Sequence, residues 1–483
     1  MKTTHKYSIN FIGLLSLLLI CSCSGDEEIR IEENKEVPDE TLIDPEKLFK
    51  IFQDKSKTPP LVTIGDEFDF VEAYSLLSTY DTIGESFKLA NFVDGAGFLK
   101  DENGYRYIVN CESSYAVARV FLDEYLTPIK GDYLLTRSNI EYAKQCSATM
   151  WEASIHGGSK DIFLSASEAI NFDVKGIDPW VEDPTPNADF GLDALGEFSW
   201  ENAVPLPKDV YPGKTVILGG DDDSTDSEGQ VVLYYSENGD DDLKNGKVYV
   251  LKTKEISNGN GGVQIARNDQ IYTEAYFDYG VTYKIEFVEI ENAGSLTKDE
   301  MEIECKNVLA THFMRVEDLD YRKGSNEDSR NIYFAVTGNG PGQGSYNDWG
   351  TIYKLELDEN SPLSGTLTQI VSGNTDSNNM DGNLAELQSP DNICVTENFI
   401  YIQEDPNSFS RGHGAYIYQS DLNGNNIKKV LELNPNSNGD FKGEFGSLID
   451  ISTKVQIPGT FILAVQPKRE IGSQIILLKG LPR

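Results

Sequence analysis

The chain is short of histidine, cysteine and basic residues, and each shortage excludes a class of chemistry. Only four histidines occur in 483 residues: His5, His156, His312 and His413. A histidine-rich zinc or iron centre is therefore excluded, and oxygen-ligand chemistry is favoured. Six cysteines with no C-x-x-C pair exclude a structural zinc knot and a disulfide scaffold. Forty-one basic residues against 79 acidic ones give a net charge of −38, which excludes the basic footprint of a nucleic-acid binder. No G-x-S-x-G, H-E-x-x-H, P-loop or G-x-G-x-x-G occurs, so the common nucleophile and nucleotide signatures are missing too.

The apolar run Phe11 to Ile20 is too short to span a bilayer and fits the core of a signal peptide. It ends in Ile20-Cys21-Ser22-Cys23, which resembles a bacterial lipobox. That resemblance implies cleavage before Cys23, lipidation of its thiol, and a membrane-anchored exported protein at the outer membrane or surface of a Gram-negative cell. Asp26-Glu27-Glu28 is similar to the surface-export signals of Bacteroidetes lipoproteins. The organisation expected is a signal peptide over 1–22, an acidic tether over 23–60 with a short helix at 45–52, and one domain over 61–483. The tether is too polar to offset its own ordering entropy. After Cys21 is removed and Cys23 lipidated, Cys111, Cys146, Cys305 and Cys394 remain. Cys305 and Cys394 read as buried thiols, and a Cys111–Cys146 pairing is left open.

What the chain does have is aromatic bulk and glycine: 24 Tyr, 22 Phe and 42 Gly. That composition favours strands and turns. The central stretch runs from Phe313 to Thr337. Its second half, Asn331 to Thr337, reads as a strand; its first half crowds Arg315, Glu317, Asp318 and Asp320 among apolar neighbours. Arg315 and Glu317 share a face if that half is extended. They are either a surface ion pair or a cation and a carboxylate of an anion site built around a metal. Related grammar recurs at Ser389–Asp405 and Glu197–Val204, with glycine-led partners at Gly246, Gly350 and Gly414. This degenerate repeat predicts an all-β propeller of about six blades, with seven as the alternative and long loop insertions. The clusters Asp221–Asp223 and Asp240–Asp242 read as loops, either solvated turns or calcium sites. Asn434–Glu444 approaches the EF-hand template but is one residue short.

These motifs, taken in order, resemble the PhoX-type alkaline phosphatases. Asp94-Gly95 and Tyr107–Glu112 are similar to that family's D-G and N-H-E elements, and Phe163–Glu168 to L-T-C-E-E. Phe198–Glu201 resembles F-S-H-E, Gly219–Asp222 resembles G-D-D, and Phe313–Asp318 resembles F-R-P-E-D. Ser389–Asn392 is similar to R-P-D-N, and Ala464–Gln466 to N-V-Q. The resemblance implies a calcium- and iron-dependent propeller that hydrolyses phosphate esters. It makes Glu201 and Glu317 metal ligands and Arg315 the phosphate holder. Asn110, Glu112, Glu168, Asp391 and Asn392 become calcium ligands or partners of ligands. The bridging cysteine of L-T-C-E-E falls on Ala166 or Ser167, and the two histidines on Cys111 and Trp200, so iron loses its thiolate and calcium is the cation expected. The partners expected are a phosphate-ester substrate and the membrane, on a monomer with no nucleic acid. Two other readings stay open: a non-catalytic, calcium-stabilised propeller that binds a surface glycan or protein, and a calcium-dependent lactonase or esterase.

Overall fold

Backbone pairing sorts the chain into antiparallel groups of four strands that follow one another in sequence. The computed structural model describes residues 44–140, 142–184, 189–223, 228–343, 346–374, 382–434, 443–467 and 472–483. The leader, Cys23 and most of the Asn434–Glu444 loop lie outside the described residues.

Group one comprises Val93–Asp101, Gly104–Cys111, Ala116–Asp123 and Pro128–Leu135. Group two comprises Lys144–Trp151, Ile162–Ala169, Val174–Ile177 and Asp189–Gly191. Group three comprises Trp200–Pro205, Thr215–Asp221, Val231–Ser236 and Lys247–Thr253. Group four comprises Val316–Tyr321, Asn331–Val336, Thr351–Leu357 and Ser364–Ser372. Group five comprises Pro390–Val395, Phe399–Glu404, Tyr416–Asp421 and Lys428–Leu433. Group six takes Gly443–Asp450, Thr460–Pro467 and Gln474–Lys479 from the C-terminal part of the chain, and its fourth strand, Glu72–Ser78, from near the start. That exchange ties the two ends of the domain together. Thr282–Ile290 pairs with the outer strands of groups three and four and fuses them into one sheet.

The first strand of each group packs against the first strands of the groups before and after it, and the sixth returns to the first. These six strands form a closed ring around an axis, which is the arrangement of a β-propeller. Such close approach limits side-chain size. A Cβ on Gly95 would come within 2.1 Å of the Ala148 nitrogen, and one on Gly446 within 2.8 Å of the Asp94 Cα.

The repeated tyrosines, Tyr333, Tyr353, Tyr401 and Tyr418, sit on second and third strands and are buried in the clusters between groups. The expected helix forms over Pro45–Ile51, with Asp44 accepting from the Glu46 N–H at 3.0 Å. Residues 51–58 lie against the sheets: Ile51 and Phe52 are buried, and the Lys55 N–H donates to the Ser75 carbonyl at 2.7 Å. Packing therefore begins before residue 61.

Candidate metal centre

Each of the six innermost strands breaks register with its second strand near its own start. The breaks enclose Asp94-Gly95, Cys146-Ser147, Glu201, Glu317-Asp318, Asp391-Asn392 and Gly446-Ser447. A bulge re-aims a side chain that regular pleating would direct elsewhere. Because the strand pairs are antiparallel, the second strands end where the first strands begin. Those ends contribute Glu112, Glu168, Asp222, Asp405 and Gln466 to the same end of the ring.

Five overlapping groups of ligand atoms result, each with its atoms within 4.8 Å of one another: Asp94, Cys146 and Glu201; Glu112, Cys146 and Glu168; Glu168, Glu201 and Asp222; Glu201, Glu317 and Asp391; Asp391, Asp405 and Glu444. Nine carboxylates are thus gathered in one cluster. Two cations stand among them. Lys144 Nζ lies 2.5 Å from Glu112 and also contacts Glu168. Arg315 donates through Nε to Asp222 at 2.7 Å, and through its second terminal nitrogen to Asp222 and Glu317, both at 2.9 Å.

The electrostatics follow from crowding. Burial holds Glu201 well above the usual carboxylate range, with Glu317 and Asp391 adding to the effect. Burial and Asp222 do the same to Glu317, and burial and Glu317 to Asp391. Burial, helped by Glu112, lifts Asp94 to about 7. For Glu168, burial pushes upward, but the Lys144 ammonium prevails and holds it below the ordinary value. Like charges packed this closely in a low dielectric cannot all ionise. The donor set therefore fits hard cations, which accept several oxygen ligands.

Arg315 and Glu317 are more than a surface pair, since their side chains are only 18% and 4% exposed. Arg315 precedes its strand in a left-handed conformation, φ 71°. Its carbonyl accepts from the Thr337 N–H at 3.1 Å, and the buried Glu274 accepts from the preceding Met314 N–H at 2.9 Å. Its remaining terminal nitrogen reaches Ser408 Oγ at 3.3 Å.

Of the residues singled out from sequence, Glu201, Glu317 and Asp391 meet in one group, and Glu112 and Glu168 meet in another with Cys146. The Asn110 amide donates to the Cys146 carbonyl at 2.8 Å and its oxygen accepts from Ser165 at 2.9 Å, so it pins the second bulge, which carries Cys146. Asn392 donates to Asp94 at 3.3 Å, leaving its buried oxygen without a hydrogen-bond partner. For Asp221–Asp223 the solvated-turn alternative is overturned. Asp221 ends a strand, and all three residues are buried, not solvated. Asp242, by contrast, is a turn residue capped by the N–H groups of Lys244 and Asn245. Cys111 and Cys146 are unbridged.

Sequence reasoning gave no ligand role to Asp94, Asp405, Lys144 or Cys146, and it left Asp222 between a solvated turn and a calcium site. The Cys146 thiol belongs to two of the five groups and donates to Glu112 at 3.8 Å. A soft donor is therefore present in the cluster, carried by an inner strand and not by the Ala166-Ser167 segment.

No family model matches the chain, and no curated protein matches it in sequence. Solved structures do. Pseudomonas fluorescens PhoX, in complex with the transition-state analogue vanadate, superposes with a TM-score of 0.61 at 12% identity, over 86% of this chain and 96% of that one. The PQQ-bound aldose sugar dehydrogenase of Streptomyces coelicolor matches at a TM-score of 0.39 and 12% identity, covering 87% of this chain and 99% of that one. The GH93 α-L-arabinofuranosidase of Fusarium graminearum matches at 0.41 and 10% identity, covering 84% and 97%. At 12% identity the likeness to PhoX is one of fold, and the chain is a β-propeller with the scaffold seen in PhoX.

Proposed function

We propose that this chain is a metal-dependent phosphate-ester hydrolase, held at the outside of a Gram-negative cell by lipid on Cys23. The observation that carries the reading is Arg315. It is a largely buried guanidinium 2.9 Å from Glu317, whose carboxylate belongs to one ligand group with Glu201 and Asp391. A cation placed there by these carboxylates would polarise a phosphoryl oxygen and offset charge that develops in the transition state. Calcium suits the oxygen-rich groups, and the groups that include Cys146 suit a softer ion such as iron.

The protein's own residues perform the remaining tasks. Arg315 offers a planar fork to phosphate oxygens, with the terminal nitrogen beside Ser408 as the one nearest solvent. Asp222 holds that fork in place from behind through two hydrogen bonds. Lys144 offsets charge on Glu112 and Glu168, and Glu168 shares a ligand group with the Asp222 that Arg315 holds.

The reading is tested with p-nitrophenyl phosphate and chelator-stripped protein reloaded with calcium alone or with calcium and iron. Turnover that returns with metal and is lost in Arg315→Lys supports it. No turnover under any loading overturns it. The non-catalytic, calcium-stabilised binding module is favoured by one observation: the Arg315 fork is filled by Asp222, Glu317 and Ser408. On that reading calcium raises the melting temperature while phosphate esters leave it unmoved.

A further inference from the structure

His312 and Cys305 take no part in the axial cluster, yet both line one small cavity beside group three. The cavity holds about 10 Å³, room for one water-sized sphere, and Asp221, Gln230, Lys298 and Glu302 also face it. Three elements build it. The helix Lys298–Asn307, started by a capping box between Thr297 and Glu300, presents Lys298, Glu302 and Cys305 along one face at i, i+4 and i+7. The second and third strands of group three bring Asp221 and the segment just before Val231. The His312 backbone is fixed, its N–H donating to the Tyr272 carbonyl and its carbonyl accepting from the Glu274 N–H, both at 3.0 Å.

Two buried acceptors in this cavity are uncommitted. His312 Nε2 has no hydrogen-bond partner in a side chain that is 6% exposed, and Gln230 Oε1 has none in a residue that is 2% exposed. Leaving such groups dry and unpaired is costly. Lys298 does not serve them, because its ammonium pairs with Asp223 at 2.7 Å and with Glu302. Asp221 accepts one backbone hydrogen bond, from Ser199 at 2.9 Å. Burial keeps His312 neutral by lowering its pKa, which leaves a ring nitrogen available as a ligand.

We infer that this cavity is a second metal site, separate from the axial cluster, for a borderline divalent transition ion of the zinc class, with His312 Nε2, Gln230 Oε1, Asp221 and Cys305 as its donors. Imidazole and thiolate suit such an ion, and calcium would not choose them. Asp221, Cys305 and His312 do not form a group within the 4.8 Å spacing that joins the axial groups. Binding therefore draws the Cys305 side chain inward and deprotonates its thiol, so the helix Lys298–Asn307 becomes locked to group three.

The experiment is equilibrium dialysis of the mature protein against zinc, and separately against cobalt(II), in excess calcium so that the oxygen-rich sites are filled. The expected result is one equivalent fewer of zinc in His312→Gln than in wild type, with calcium content unchanged. Cobalt-loaded Cys305→Ser should show weaker near-ultraviolet thiolate-to-cobalt absorption than the wild type, the remainder belonging to Cys146. Equal zinc content in wild type and His312→Gln overturns the inference. Should His312→Gln fail to fold, Cys305→Ser decides, and an unchanged cobalt spectrum overturns it. Neither readout depends on phosphatase turnover, so failure here leaves the axial reading untouched.

Discussion

Removing divalent ions and following stability against pH probes the axial carboxylates directly. Burial and Glu112 lift Asp94 from an ordinary 3.8 to about 7 in the folded protein. Between about pH 4 and 7 the folded state then keeps a proton that the unfolded state has released. The native state binds more protons than the unfolded one across that window, so stability falls as pH rises through it. For Asp94 alone the loss is roughly 4 kcal/mol. Glu201, Glu317 and Asp391 are raised as well and add loss of the same sign. Glu168, held low by Lys144, contributes in the opposite sense. Calcium at about 100 times its dissociation constant restores about 2.7 kcal/mol per ion. For a domain spanning 44–483 that is about 3 °C per ion, since unfolding entropy near 2.1 cal/mol/K per residue gives about 1 °C per kcal/mol. Melts in chelator at pH 5 and pH 8, repeated in millimolar calcium, should give the lowest midpoint in chelator at pH 8 and the largest calcium response there. General surface repulsion would act in the same direction, so the control is Glu201→Gln. It should raise the chelated midpoint at pH 8 and blunt the calcium response. Equal midpoints with and without calcium at pH 8, or a Glu201→Gln protein indistinguishable from wild type, would refute the reasoning.

Three other outcomes are expected. Arg315→Ala should lower phosphatase kcat by about 10²–10³-fold, on the scale of a lost transition-state contact. It should also reduce stability by about 3–5 kcal/mol, because it strands the buried Asp222 and Glu317, so Arg315→Lys, which keeps the charge and loses the fork, is the cleaner kinetic probe. Asn110→Ala should cost about 1–3 kcal/mol by unpairing the Cys146 carbonyl and Ser165, with calcium stoichiometry by titration calorimetry unchanged; a lost equivalent would make Asn110 a ligand after all. Cys23→Ala should move the protein from the membrane pellet to the soluble fraction, and retention in the pellet would count against the lipid anchor.

The propeller was legible because its signal is local. Aromatic and β-branched strands with glycine-led partners report burial on both faces, and Tyr333, Tyr353 and Tyr401 are fully enclosed. Glu201, Glu317 and Asp391 were legible because each stands beside a strand start in a recognisable order. The bulges that bring them together were not legible, since two backbone residues opposing one leave no trace in composition. Asp222 stayed ambiguous for a related reason. Three successive aspartates look like a solvated turn until the Trp200–Asp221 pairing buries them. Asn110 had a fitting residue type for a ligand but lies inside a regular strand, where its side chain meets the neighbouring group. Lys144 carries no local signature and matters only through the ring.

The ring also accounts for where an anion fits among so many carboxylates. Each group offers two positions at this mouth, one in the bulge of its first strand and one at the end of its second. Groups one, two, three and five carry a carboxylate at or just beyond the second-strand end, as Glu112, Glu168, Asp222 and Asp405. Group six has Gln466 there, engaged with Glu444. Group four ends instead in Val336 and Thr337, and Thr337 Oγ1 donates inward to the Pro390 carbonyl at 2.6 Å. Groups four and six thus lack a second-strand carboxylate, and of the two only group four, whose bulge carries Glu317, adds a guanidinium. Arg315 leads into the first strand of that same group, fixed in its left-handed turn by Thr337 from one side and, through Met314, by Glu274 from the other. A missing carboxylate and an added guanidinium act in the same direction: both lower the potential energy of an anion at one point of an otherwise cation-seeking ring. On the proposed reading, that asymmetry sets which side of the metal a phosphate ester approaches.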